Sequence, residues 1–463
     1  MTISDVIERL NTIRRPRAEN TPTDLNRQLM RLAWPSLIEN LLQTMLLVCD
    51  MIFVGQLGAD SIAGVGLGSQ LMTLLQVLFM GLAVGNTALV ARAIGAQDQR
   101  EAERIAKQSL LIAVLLSVGI GIIGFLFADN IIRVMGAADD VTAIGGGFLR
   151  IVSTFSIVIA LMLVGGGTLR GAGDTFTPMW VTGFINIVNI VLDYSLIFGN
   201  LGFPRMGAVG SAVATTTARA IGAGMILYAL FKRTKILPLS LRGGWGFHRD
   251  VIARILNIGL PSAAEQVVFQ VGFLVFAAMA VSLGTADYAA QQIAFTINNL
   301  SILPAFAFGV AATTLVGQNL GAQDPERAER SAYEALKNGT LWMVVMGIAF
   351  LIWREQLVRL FTNDPAVWQP AEMCLAFIAF GEPLLAVSVV LASALRGAGD
   401  TRATLVMTFV GIWLMRVGLG YYLGIVLGFG LFGMWVAWFS DFAVRAVLVA
   451  LRFRTGRWKT LRV

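Results

Sequence analysis

A single histidine, two cysteines and a charged fraction of 14 % are all that 463 residues supply of these groups. Each shortage removes a class of function. His248 stands in a polar loop, so no histidine relay carries protons through the apolar segments. Cys49 and Cys374 both lie inside apolar runs, which leaves no disulfide framework and no thiolate metal site. A soluble domain carries about 25 % charged residues to cover its surface, so a large water-soluble core is excluded. A short apolar leader is lacking too. Residues 1–30 are polar and arginine-rich, and the first apolar run is far too long for a signal-peptide core, so no cleavable signal is expected.

What is present is apolar: 56 % of the residues are hydrophobic and 49 are glycine. Runs of about 20 or more apolar residues, enough for a helix to cross a bilayer, recur at regular intervals. Twelve spans are read, at 29–54, 62–92, 105–128, 139–165, 175–197, 207–231, 251–281, 288–318, 330–353, 366–392, 402–426 and 431–451. Barrel strands would alternate polar and apolar residues, and these runs do not, so the spans are helices. The fold class is an all-α polytopic membrane protein. Lysine and arginine set its orientation. Six arginines lie in the first 31 residues, and the loops after spans 2 and 6 and the tail from Arg452 are basic as well. The loops of the opposite side hold only Arg133, Arg205, Arg354 and Arg359. Both termini are therefore expected to be cytoplasmic. The net charge of +7 then implies contact with anionic lipid rather than nucleic acid, and the tail, with Trp458 among its cations, suits that surface.

The strongest signal is an internal repeat at a constant offset of 226 residues. LRGAGDT occupies 169–175 and again 395–401, IGAQD ending at Asp98 matches LGAQD ending at Asp324, and Gly58, Thr87, Gly207 and Arg219 match Gly284, Thr313, Gly433 and Arg445. Six spans per repeat, an even number, make the halves parallel and related by a pseudo-twofold axis along the membrane normal. The expected organisation is an N-terminal arm 1–28, an N-lobe 29–231, a linker 232–250, a C-lobe 251–451 and a tail 452–463. In LRGAGDT, Gly171 and Gly397 belong to tight helix reversals, and Asp174 and Asp400 are placed to cap the following helices. No P-loop lysine follows these glycines, so they are read as hinges and caps.

Acids inside the spans are costly and rarely accidental. The first span carries two. Glu39 recurs as Glu265, whereas Phe276 stands at the position matching Asp50. Asp193 is likewise unmatched, facing Leu419, and Glu382 is matched by Ser156. Asp50 lies 11 residues beyond Glu39, about 16 Å along a helix, near the external end of span 1. Asp193 lies near the external end of span 5, with Asn189 one turn before it. Two such acids at one depth resist double ionisation. The pair is therefore expected to hold a proton or, with Asn189 and a span-6 hydroxyl such as Thr215, to cage a sodium ion with oxygen ligands. Glu39 and Glu265 each follow a proline by one turn. They are either architectural at the lobe interface or cavity groups that attract a cation, and Glu382 is a substrate or second-ion candidate. Asp441 and Arg445, four apart on span 12, are expected to neutralise each other. Arg416 is expected to pair with a carboxylate or with backbone carbonyls of the C-lobe.

The stretches WPSLIEN and VCDMIFVGQLG in span 1, LRGAGDTFTP after span 4, NIVNIVLDYSLIFG in span 5, GAVGSAVAT in span 6 and WLMRVGLGYYL in span 11 resemble the multidrug and toxic compound extrusion (MATE) family. The likeness runs through all twelve spans. The asparagine and aspartate pattern of span 5 resembles the prokaryotic branch that includes DNA-damage-inducible efflux proteins. The resemblance implies two six-helix lobes around a central cavity in a prokaryotic cell membrane. It implies export of small amphipathic, often cationic compounds against protons or sodium ions, with no cofactor. It also implies a cation site on Asp50, Asn189 and Asp193. A protein of this kind is expected to work as a monomer, with membrane lipids but no nucleic acid as partners. A rival is a lipid-linked oligosaccharide flippase of the same superfamily, whose anionic cargo would favour buried basic residues over the acids seen here. A membrane-embedded enzyme would need a histidine, cysteine or paired polar cluster at one membrane face, and a channel a filter motif. Neither is visible.

Overall fold

An apolar solvent forces each backbone N–H and C=O to find a partner within its own segment, and the chain answers with helices throughout. The computed structural model describes residues 22–461 apart from 137, 234–236, 241, 242 and 244. Most of the expected N-terminal arm and part of the linker therefore lie outside the described residues. In chain order the elements are α1 Pro22–Gly55, α2 Ala59–Gly95, α3 Gln99–Val134, α4 Asp139–Thr154, α5 Ser156–Gly171, α6 Phe176–Phe198 and α7 Gly207–Tyr228. After the linker come α8 Arg249–Leu283, α9 Thr285–Gly321, α10 Pro325–Arg359, α11 Pro365–Gly397, α12 Thr401–Phe409 and α13 Gly430–Arg454. Among the described residues eleven helices are long and apolar enough to cross a membrane, and α4 with α5, bent by 51°, count as a twelfth crossing when taken as one broken span.

Span 4 is thus not the single helix expected at 139–165. It breaks at Phe155 without proline and leans onto small residues of α3, where Ser156 Oγ donates to the Ser117 carbonyl at 3.1 Å. Span 11 departs as well. After Phe409 the backbone widens into π-helix over Val410–Leu419 and Tyr422–Val426, a geometry common at functional sites. Several helices outrun their apolar segments at the basic end, because the polar residues there continue the helix into water.

Each half packs its own core. Buried residues such as Phe79, Ile105, Leu149 and Val164 form one cluster, and Phe276, Phe295, Leu375 and Trp435 another. The first turns of α1 and α8 cross over. Leu29, Leu32 and Ala33 pack with Leu315, Leu320 and Leu391 of the second half, while Val251, Ile255 and Ile258 pack into the first. The lobes meet about the pseudo-twofold in a reciprocal contact. A β-carbon at Gly95 would strike the Gln318 carbonyl, and one at Gly321 would strike the carbonyl of Arg92, the residue matching Gln318. Thr314 Oγ1 donates to the Arg170 carbonyl and Gln318 Nε2 to the Gly171 carbonyl, each at 3.0 Å. Arg254 pairs with Glu101 and Asn338 bonds Asn26. These interlobe bonds gather at the end carrying the IGAQD and LGAQD turns.

The repeated turns behave differently from expectation in two respects. Gly171 and Gly397 are not the turning residues. A β-carbon at Gly171 would sit 2.7 Å from the Thr87 carbonyl, and Gly397 abuts Thr313 in the same way, so both are close-approach glycines between helices. The reversal is made by Gly173 (φ 91°) and Gly399 (φ 88°), and in IGAQD and LGAQD by Gln97 and Gln323 at φ near 59° and 58°. Asp174 caps α6 as expected, accepting from the Thr177 N–H at 2.9 Å. Asp400 does not cap α12. Its carboxylate is drawn to Arg452, whose Nε donates to it at 2.7 Å. The tail also corrects the sequence reading, because Trp458 is fully buried. It stacks on Phe453 at 4.8 Å between ring centroids, and it turns inward to give its indole N–H to the Phe453 carbonyl at 2.8 Å.

Candidate functional site

Asn186, Asn189 and Asp193 stand at i, i+3 and i+7 on α6, which places them on one face. That face meets α1, where Asn186 Nδ2 donates to the Leu42 carbonyl at 2.6 Å. Asp193 and Asn189 are fully buried and Thr215 of α7 nearly so. Asp50, five residues before the end of α1, is half-buried. The Asn189 amide lies against the carboxyl groups of both Asp50 and Asp193, which brings the two acids to one site. With its nitrogen towards them, the Asn189 amide donates to Asp50 Oδ1 at 2.9 Å and Asp193 Oδ2 at 3.2 Å, and its oxygen accepts from the Thr215 N–H at 3.2 Å. Turned over, its nitrogen reaches Thr215 Oγ1 at 3.4 Å, and its oxygen then faces the carboxylates as a cation ligand would. Asp193 Oδ1 has no partner. The four residues predicted to share a site are therefore brought together, at the end of the lobe away from the interlobe bonds. Asp50 and Thr215 border a cavity of about 420 Å³ that Gln43, Thr182, Asn186 and Arg219 also line.

The other intramembrane acids are held. Arg170 of the first LRGAGDT donates to Glu39 at 3.0 and 3.3 Å. Arg396 of the second donates to Glu265 at 3.0 Å, and Thr404 and Thr408 complete that carboxylate at 2.8 and 3.0 Å. The repeated arginine grips the repeated glutamate, and this symmetric geometry is that of an architectural pair. Glu265 also borders a 320 Å³ cavity in the second half, walled by Phe269, Phe273, Phe295 and Trp438. The partner of Arg416 is Asp441. Asp441 also takes Arg445 Nε at 2.5 Å and Nη2 at 2.9 Å, so the expected Asp441–Arg445 pair is part of a triad. Gly411 makes room for it, since a β-carbon there would collide with Asp441 and Arg445. Glu382 is fully buried. Its Oε1 accepts from Ser301 at 2.5 Å and Asn298 at 3.1 Å, and its Oε2 has no partner. Of the six acids, Asp50, Asp193 and Glu382 alone lack an arginine within ion-pair distance among the described residues.

Sequence reasoning gave Arg219 no role beyond its match with Arg445. The signal was available: Arg445 has Asp441 four residues before it, while Arg219 has Thr215 there. A guanidinium without its helical carboxylate is left beside the acid pair.

A family model described as MatE matches residues 35–195 and 261–422, two segments that begin at the prolines of the repeat. A probable multidrug resistance protein NorM of Thermotoga maritima is 33 % identical over 442 residues, covering 94 % of each chain. An uncharacterized transporter YisQ of Bacillus subtilis is 29 % identical over 441 residues, covering 94 % of this chain and 96 % of its own. A solved outward-facing multidrug resistance transporter of the same family aligns with a TM-score of 0.87 at 27 % identity, over 94 % of this chain and 97 % of its own.

Proposed function

Since this chain belongs to the MatE family, whose members are membrane transporters rather than enzymes, we propose that it exports small amphipathic, often cationic compounds in exchange for protons or sodium ions. The observation that carries the reading is the Asp50–Asn189–Asp193–Thr215 cluster, an oxygen-lined, partly buried pair of carboxylates with no fixed ion-pair partner. Two carboxylates, an amide and a hydroxyl suit a proton or a sodium ion. Both ions are cargo, and the cycle calls for no cofactor.

The basic loops mark the end with the interlobe bonds as cytoplasmic. On that reading both termini are cytoplasmic, the protein sits in a prokaryotic cell membrane, and the lobes are closed on the inside and open to the outside. Cargo leaves from this state while an external cation enters the first-half site. Loading the pair changes the Asn189 contacts between α6 and α1. The glycine contacts at Gly95 and Gly321 then part as the cavity turns inward. Glu39 and Glu265 brace the lobes through Arg170 and Arg396. Glu382, with one free carboxylate oxygen, is the candidate for a second ion or for the charge on a cationic substrate. One chain holds the complete site, so the monomer is the working unit.

The test is ethidium or norfloxacin efflux from proteoliposomes on which a proton or sodium gradient is imposed. Efflux is expected only with a gradient. Movement indifferent to both gradients contradicts the reading and leaves the flippase alternative ahead.

A further inference from the structure

The two lobes repeat each other closely enough that a broken match carries information. In the second half, Arg445 is locked by Asp441 one turn before it, at 2.5 and 2.9 Å, together with Arg416. The positions matching Asp441 and Arg416 in the first half are Thr215 and Ile190. Arg219 thus keeps its place on α7 but has no acid at i−4, and no ion pair or hydrogen bond holds it among the described residues. An unpaired guanidinium in a membrane span is expensive and persists only where something uses it. Arg219 borders the same cavity as Asp50, close enough for the two charges to act on one another. Among the described residues no other lysine or arginine lines that cavity.

We propose that Arg219 is the built-in counter-charge of the Asp50–Asp193 site, fixing its empty charge at minus one so that it loads a single monovalent cation per cycle. The inference rests on the reading of that pair as the coupling site. Without Arg219 the two carboxylates would carry two negative charges into a low-dielectric span, and the first cation to arrive would stay. With it, one cation neutralises the site, and the guanidinium takes over the carboxylates when the cation leaves. The second half shows the alternative outcome. There Asp441 consumes the arginine, the acids of the pair are replaced by Phe276 and Leu419, and no loadable site remains at that place. Arg219 acts through Asp50 and Asp193 and is a positioning residue.

The experiment uses full-length protein in liposomes with ethidium inside and an imposed sodium or proton gradient. It compares wild type with Arg219→Gln, Arg219→Lys, Thr215→Asp and Asp50→Asn. Arg219→Gln is expected to reach half-maximal efflux at an ion concentration about ten-fold lower, the order of one unit charge sharing a cavity. Its maximal rate should fall about as much, because release becomes slow. Arg219→Lys keeps the charge and should stay within about two-fold of wild type. Thr215→Asp should behave like Arg219→Gln while retaining the arginine, since the new carboxylate would capture it as Asp441 captures Arg445. It also decides the matter if Arg219→Gln fails to fold. Wild-type ion dependence in both Arg219→Gln and Thr215→Asp, with Asp50→Asn inactive, overturns this inference alone. An active Asp50→Asn overturns the coupling site itself.

Discussion

Asp441 receives N–H groups from two arginines and is fully buried with Arg416, so its charge is indispensable where it stands. Removing one member of a buried ion cluster leaves the others uncompensated, a loss of about 3–5 kcal/mol. Asp441→Asn should therefore lower the thermal unfolding midpoint of the purified protein well below that of a surface control. An unchanged midpoint contradicts the triad. The sequence located the intramembrane acids and named Asp441 with Arg445, but it did not say which acids were free. The arginines that hold Glu39 and Glu265 come from turn motifs 131 residues away, and nothing local to the glutamates announces them. That Asp50 and Asp193 break the twofold was legible, because the repeat places apolar residues, Phe276 and Leu419, at the matching positions of the second half.

At the scale of the helix, the repeated motifs were visible as turns, yet their glycines divide into two jobs that sequence spacing does not separate. Gly173 sits at positive φ and Gly171 against the Thr87 carbonyl. Gln97 holds the same left-handed position in the sister turn, so that conformation does not demand glycine. Gly173→Asn brings a β-carbon to 3.3 Å from Gln318 Nε2, but asparagine tolerates the left-handed region, so its cost should be small beside that of Gly171→Val. Gly171→Val forces two helices apart and should cost about 1–3 kcal/mol or more, seen as reduced monodisperse yield and a lower melting temperature. Equal tolerance of both variants would contradict the assignment. The bend at Phe155 and the π-helical stretch around Arg416 were not legible. Neither contains a proline, and each arises from packing: small residues of α3 receive the bent span, and Gly411 opens space for a guanidinium cluster. The capping of Asp400 failed for a similar reason, its tertiary arginine outcompeting the local helix end.

For the whole molecule, the offset of 226 residues foretold two like halves, and the reciprocal Gly95–Gln318 and Gly321–Arg92 contacts are where those halves touch. The crossing of the first turns of α1 and α8 into the opposite core shows that the sequence boundary between halves is not the packing boundary. In this account the shared architecture supplies the rocking motion, and the asymmetric acids of the first half supply its drive. Asp50 is the residue on which that division rests. The direct measurement is gradient-driven ethidium efflux by Asp50→Asn in proteoliposomes matched to wild type for protein content. The account predicts no efflux under either a proton or a sodium gradient with normal abundance and folding, and full transport by that variant would contradict it.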